Sequence, residues 1–357
     1  MSPHRTAVVS AVRAQAPVTC DAGRVRKRWV RFAAALAVLA ALALLVWANR
    51  KDIPEAARAL RTADGHRLSL AVLLLLVWWL NWTLLHAAAR RVVGVGGYAE
   101  LGRLVPVTLS SIALNLAVKS GNVAGLASFA YDARQRGLPR GRVTAAYLAA
   151  AQLAEVAFVV TLGAGILVVC VDGRLTRAEL LALVIFAAGL VVRVAAIVAA
   201  VRSRDVVRRL WTLPARLADR VLRRPAREHD TQGADELYDA VAAMRDSPRA
   251  TVPALCFAVA VDLLGAALLW ASMAAVGAGD RPLVALVAYA VSTLFGIVGV
   301  LPGGVGFAEV GAAAVLVSYD TPVGIAAAAV VVFRILVMWI PLVVGGLIGY
   351  RVRLRPA

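Results

Sequence analysis

The sequence predicts an all-α polytopic membrane protein with two inverted repeats, each holding a re-entrant helical hairpin and long membrane helices. Three observations predict it. Hydrophobic residues make up 61% of the chain and the mean hydropathy is +0.78, far above a soluble domain. Apolar runs recur at about the 20 residues that a bilayer crossing needs. The run LPGGVGFAE (301–309) interrupts an apolar stretch spanning 282–318. Pro302 lacks an amide hydrogen, and Gly303, Gly304 and Gly306 each weaken helix. Irregular backbone survives at membrane depth only inside protein or beside a water-filled cavity.

The first element is a retained helical anchor at 30–48, preceded by a basic N-terminal segment at 1–29 that is too long for an ordinary signal peptide. Further membrane helices read at 68–85, 143–171, 180–201, 252–276, 283–300 and 323–350. The transmembrane domain therefore runs over 30–350, with a basic tail at 351–357. The polar loop at 202–249 is too short and too charged to hold an enzyme, so no enzymatic activity is expected. Val206, Val207, Leu210, Leu213, Leu217, Val221 and Leu222 alternate there with arginines, which reads as flanking or interfacial sequence.

Arginine placement sets the sides. Arg24, Arg26, Lys27, Arg28 and Arg31 place the N-terminus in the cytoplasm. The arginines of 202–249, and Arg351, Arg353 and Arg355, place that loop and the C-terminus there too. The links 50–67, 172–179 and 277–282 then lie outside. Arg90, Arg91 and Arg103 share the inside with Arg134, Arg136, Arg140 and Arg142, so residues 104–131 enter and leave on one side. That segment suits two half-helices. By the same reasoning 283–318 forms a hairpin from the outside. A shift of 183 residues lays Gly121 on Gly304, Pro139 on Pro322 and Gly141 on Gly324. Three full crossings between the hairpins invert the second copy, a recurring transporter plan.

Polar residues inside these elements are the candidate site. The first hairpin holds Thr108, Ser110, Ser111, Asn115, Lys119, Ser120, Gly121 and Asn122. A lysine at membrane depth is costly and is expected to face a cavity or a partner. In the second hairpin Glu309 lies in the first turn after Gly306, as a helix-terminus carboxylate, a proton or cation carrier, or a partner for Lys119 or Arg334. Glu155, Asp262 and Arg334 lie deep in long helices and are expected to pair. Asp262–Arg334 and Glu155–Arg334 both remain open. Gln152 shares a helix face with Glu155, and Arg193 reads as a snorkelling side chain.

The formal charge of +18 reads as basic loops against anionic headgroups rather than nucleic-acid binding, since no nucleic-acid motif accompanies it. Cys20, Cys170 and Cys256 make no disulfide framework, and His4, His66, His86 and His229 make no ligand cluster, so no metal or cofactor is expected. Neither a nucleophile elbow nor a Walker A loop occurs.

The segments LNLAVKSGNVAGLASFAYDARQRG (114–137) and LPGGVGFAEVG (301–311) resemble the two signature regions of the lysylphosphatidylglycerol synthase transmembrane-domain family, also described as flippase-like. The pattern P-G-G-x-G-x-x-E matches at Pro302, Gly303, Gly304, Gly306 and Glu309. The first signature departs from the family, which often carries Pro or Gly where this chain has Lys119-Ser120. The resemblance implies a bacterial cytoplasmic-membrane protein handling phospholipid or polyprenyl-phosphate lipid. It does not imply a synthase, because the aminoacyl-transferase domain is expected to be lacking.

The expected function is translocation or presentation of an anionic lipid headgroup. Lys119 and the half-helix N-termini after Gly121 and Gly306 would hold its phosphate, and Glu309, Asp262 and Arg334 would form a gating network. An ion- or proton-coupled small-solute transporter and a non-transporting partner of a separate lipid-modifying enzyme, docked through 202–249, remain alternatives.

Overall fold

The computed structural model describes residues 53–171, 203–209, 212 and 247–353 apart from Val300, together with isolated positions between 231 and 246. The helices expected at 30–48 and 180–201, and Arg193, lie outside the described residues.

The chain is all helical where described. A short α1 (Ile53–Arg61) precedes α2 (Gly65–Val92). Asp64 starts α2 by accepting the His66 amide at 2.9 Å, which explains a helix beginning before the apolar run. Then come α3 (Leu101–Ala117), α4 (Val123–Gln135) and α5 (Arg140–Val171). After the basic loop the order is α6 (Pro248–Ala275), α7 (Pro282–Val298), α8 (Phe307–Ser318), α9 (Val323–Arg334) and α10 (Ile340–Arg353). A single π turn at Ile335–Trp339 joins the last two. Pro282 opens α7 at a position where no amide hydrogen is needed.

Among the described residues, four helices are long and apolar enough to cross a membrane: Gly65–Val92, Arg140–Val168, Arg249–Ala275 and Val323–Arg351. Leu73, Leu76 and Leu80 on α2 are 57%, 52% and 47% exposed, an apolar surface suited to lipid.

α2 and α6 pack along their length at the centre of the bundle. Around them α3 and α4 form one helical hairpin, and α7 and α8 another. The packing partners match in pairs. α2 touches α3 and α5, and α6 touches α7 and α9; α4 lies on α5, and α8 lies on α9. α10 covers α3, and α5 covers α7.

Local backbone follows the same correspondence. Positive φ angles at Gly94, Gly96, Gly121 and Gly137 recur 183 residues later at Gly277, Gly279, Gly304 and Asp320. The turn bonds Val95 N to Arg90 O and Leu138 N to Ala133 O recur as Ala278 N to Met273 O and Thr321 N to Leu316 O. α2 itself maps end to end onto α6 under that shift. At their contact the Trp78 indole donates to Val261 O, 183 residues away, at 3.2 Å.

Loops expected to share a membrane side share an end of the bundle. Asp64 N donates to Ala275 O at 2.8 Å, and Arg281 donates to Tyr319 O and to Thr321 at 2.6 and 2.7 Å. At the other end Arg90, Glu100, Asp132 and Arg136 gather. Arg90, expected on the inside with Arg91 and Arg103, is 1% exposed. Its guanidinium lies 3.5 Å from Asp132 and 3.9 Å from Glu100. Arg136 donates twice to Glu100, at 2.5 and 2.8 Å. These pairs tie both feet of the first hairpin to α2.

The Arg136 hydrogen bonds hold the Glu100 carboxyl below its ordinary range. A depressed folded-state value contributes stability above the unfolded value and loses it as pH falls through the folded one. Thermal stability in detergent is therefore expected to fall on acidification below the ordinary glutamate value of 4.5. Arg136→Gln is expected to flatten that acid limb, and an unchanged limb would remove Glu100 from the account.

Candidate functional site

The two hairpin turns touch. The first turn, 118–122, places Gly121 and Asn122 in the left-handed region, with φ of 60° and 70°. Its polar side chains are spent on the local backbone. Ser120 Oγ accepts the Ala124 amide at 2.8 Å, and Asn115 Oδ1 accepts the Gly125 amide at 2.7 Å. Asn115 Nδ2 donates to Tyr147 Oη at 3.0 Å, and Tyr147 donates to Asn122 O at 2.7 Å. A side chain at Gly125 would put its Cβ 2.5 Å from both Asn115 Nδ2 and Tyr147 Oη. Tyr147 and Gly125 therefore belong to the hairpin tip, although sequence reasoning did not single them out. The signal was a glycine four residues past Gly121, one helical turn along.

Lys119 reaches from this turn to the second hairpin. Its ammonium donates to Gly296 O at 2.5 Å and to Ile297 O at 3.1 Å, in the last turn of α7. A cation there also complements the negative end of that helix. Lys119 is exposed, and among the described residues no carboxylate lies within ion-pair distance of it. Val118 and Val123 beside it, and Ile297 and Phe307 on the second hairpin, are exposed at 50%, 61%, 45% and 44%. A positive charge thus sits within an exposed apolar rim.

The second turn runs through a 3-10 turn at Pro302–Gly304, with Gly303, Gly304 and Gly306 at φ of 63°, 67° and 85°. Gly304 has no space beside it: an added Cβ would stand 2.6 Å from Gly296 Cα. The glycine serves the close approach of the hairpin's two arms rather than room for a ligand. Gly304→Leu is accordingly expected to destabilise the fold by about 2–4 kcal/mol through overpacking and left-handed strain. A normal melting temperature in detergent would contradict this packing.

Glu309 and Arg334 form one unit. Glu309 Oε2 accepts the Gly306 amide at 2.7 Å, and Oε1 accepts Arg334 Nε at 2.7 Å. Arg334 Nη2 donates to Gly303 O at 2.6 Å and lies 2.8 Å from Met338 Sδ, inside the π turn. Of the three carboxylates that the sequence offered Arg334, namely Glu309, Asp262 and Glu155, the structure pairs it with Glu309. Asp262 belongs elsewhere: it accepts from Tyr289 Oη at 3.0 Å, and its other oxygen lies 3.4 Å from Thr161 Oγ1. The expected three-residue network of Glu309, Asp262 and Arg334 is thus two separate clusters. Glu155 is half-buried on α5, as is Gln152.

The half-helix N-termini also differ from expectation. Amides of α4 are bonded to Ser120 and Asn115, and the first amide of the α8 turn is bonded to Glu309. Side chains of the chain itself fill the places expected to take phosphate. Among the described residues, Lys119 brings to the junction a positive charge with no carboxylate partner.

Over residues 32–345 the sequence matches the family model described as Lysylphosphatidylglycerol synthase TM region. The chain belongs to that family. The match embraces both hairpins, the touching turns and the central α2–α6 pair, so it describes a polytopic membrane protein of flippase-like type. The family pattern at Pro302, Gly303, Gly304, Gly306 and Glu309 coincides with the turn that Arg334 laces to α9. No curated protein matches the sequence. Among the described residues of this family member, no group of three metal-ligating side chains is gathered.

Proposed function

We propose that this protein moves or presents an anionic lipid headgroup at the contact between its two hairpin turns, in the bacterial cytoplasmic membrane, with both termini cytoplasmic. One observation carries the reading: the Lys119 charge is uncompensated by any described carboxylate and stands within an exposed apolar rim. A soluble anion needs the charge alone. A phospholipid needs the charge and an adjoining apolar surface, reached sideways from the bilayer. Family membership supports the same chemistry.

The hairpins are read as re-entrant and the two halves as inverted repeats. The paired packing of helices and the recurrence of turn geometry at a shift of 183 residues support that reading. Touching turns would then lie near the membrane midplane. Asn115, Ser120, Gly121, Asn122 and Tyr147 set the first tip. Pro302, Gly303, Gly304, Gly306, Glu309 and Arg334 set the second.

The partner-docking alternative has less support. In the basic loop, Arg208 donates to Asp235 at 2.8 and 3.1 Å, and Arg204 donates to Asp239 at 2.5 Å. Those arginines are engaged within the loop.

The test is reconstitution of the purified chain in liposomes with labelled anionic, zwitterionic and polyprenyl-phosphate lipids. Anionic lipid is expected to cross faster than in protein-free vesicles and faster than zwitterionic lipid. Acceleration of no lipid would overturn the reading in favour of a partner role. Solute uptake indifferent to lipid would favour a small-solute transporter.

A further inference from the structure

Asp262 is the central residue of the membrane span Arg249–Ala275 and is 4% exposed. Its neighbours come from both halves of the bundle. Thr161 lies on α5, and Tyr289 lies on α7. Glycines bring the three helices together. An added Cβ at Gly265, one turn after Asp262, would stand 2.6 Å from Tyr289 Cζ. One at Gly165, one turn after Thr161, would stand 3.3 Å from Ala290 Cβ.

Among the described residues no basic group lies within ion-pair distance of Asp262; its contacts are the two hydroxyls. Every described helix packed on α6 supports this. On α2, residues 68–85 carry no titratable group, and Trp78 is bonded to Val261 O. On α5, Arg140, Arg142 and Tyr147 lie towards the start and Cys170 at the end, and Glu155 has an interaction of its own. α7 offers only Tyr289, and α9 only Arg334, which is held by Glu309 and Gly303 O. On α6 itself the other ionisable side chains are Arg249 and Cys256, both outside contact with the acid.

The hydrogen-bond geometry fits a carboxylic acid. Thr161 Oγ1 lies 3.5 Å from Ala157 O as well as 3.4 Å from Asp262 Oδ2, and its hydroxyl has one hydrogen to give. If Asp262 carries a proton, it donates to Thr161, Thr161 donates to Ala157 O, and Tyr289 donates to Asp262 Oδ1. Each group then has its partner. If Asp262 is ionised, Thr161 must abandon the carbonyl, and a bare charge stands at the bilayer centre.

We propose that Asp262 is a proton-binding site that couples proton movement to the opening of the contact between α5, α6 and α7. Losing the proton breaks the α5–α6–α7 closure and admits water. Regaining it restores the closure. The coupling to lipid rests on the lipid-translocation reading above; the proton site itself does not.

Two measurements on the reconstituted full chain separate these. Infrared spectra are expected to show a protonated-carboxyl stretch at neutral pH that Asp262→Asn removes, and that shifts in deuterated water as the proton exchanges. Asn keeps the neutral hydrogen-bonding shape, so the variant is expected to fold; Asp262→Leu gives a second, proton-free comparison. An absent band, or one that does not exchange, overturns the proton site. The second measurement sets a pH gradient of one unit across the vesicle and reads the distribution of labelled anionic phospholipid. For one proton per lipid the distribution shifts by up to about tenfold in the wild type and not at all in Asp262→Asn. A wild-type distribution indifferent to the gradient overturns the coupling. Absence of any lipid movement, with the exchanging band intact, overturns the lipid reading and leaves the proton site standing.

Discussion

Arg334→Met is expected to destabilise the protein more than any other single charge removal in the second hairpin. The wild-type guanidinium satisfies the Glu309 carboxylate and the Gly303 carbonyl at once, at 2.7 and 2.6 Å. Its side chain is 11% exposed, and that of Glu309 is 25% exposed. Methionine fills similar volume but leaves a carboxylate with only the Gly306 amide. Removing one partner of a buried pair costs about 3–5 kcal/mol. The quarter exposure of Glu309 places the loss at the lower end, about 3 kcal/mol. Thermal unfolding in detergent reads it directly. The double variant Glu309→Gln/Arg334→Met is expected to recover part of the loss, because the orphaned charge is gone. A single variant that melts with the wild type, or a double that loses the sum of both singles, would dissolve the pair as a unit.

That pair shows where sequence stops. The depth of Arg334 and Asp262 along their helices is legible, because it needs only counting from the ends of an apolar run. Their facing is not. Whether Arg334 meets Glu309, Asp262 or Glu155 depends on helix rotation, and the π turn at Ile335–Trp339 alters that rotation within the helix. The breaks at Gly121 and at Pro302–Gly306 were legible because proline and glycine act on their own backbone. The partners of Lys119 were not, since backbone carbonyls such as Gly296 O leave no mark in composition. The burial of Arg90 was not legible either: Arg91 and Arg103 beside it speak only to its side of the membrane, whereas Glu100 and Asp132 fold back and bury it. The pairing of α2 with α6 was outside the reach of periodicity, because a lipid-facing helix and a central one are both apolar throughout.

Lys119→Met is expected to give the largest loss of function with the smallest loss of fold. The residue is exposed and bonds two carbonyls of the last turn of α7, so its removal opens no cavity and leaves no described charge unpaired. The fold cost is expected to stay below about 1 kcal/mol. The functional cost is set by a different contact, the charge-assisted hydrogen bond to a lipid phosphate. Such bonds contribute about 1.5–3 kcal/mol, which corresponds to a fall of about tenfold to a hundredfold in the rate for anionic lipid. Zwitterionic lipid, whose phosphate carries its own cation, is expected to slow less. Lys119→Arg keeps the charge and is expected to restore part of the rate. The comparison between lipids decides the mechanism. Equal slowing of both, with no rescue by arginine, would mean that Lys119 acts by holding the two hairpin turns together. Selective slowing of the anionic lipid, with rescue, would mean that its charge meets the headgroup. An unchanged rate for every lipid would remove the hairpin contact from the transport path altogether.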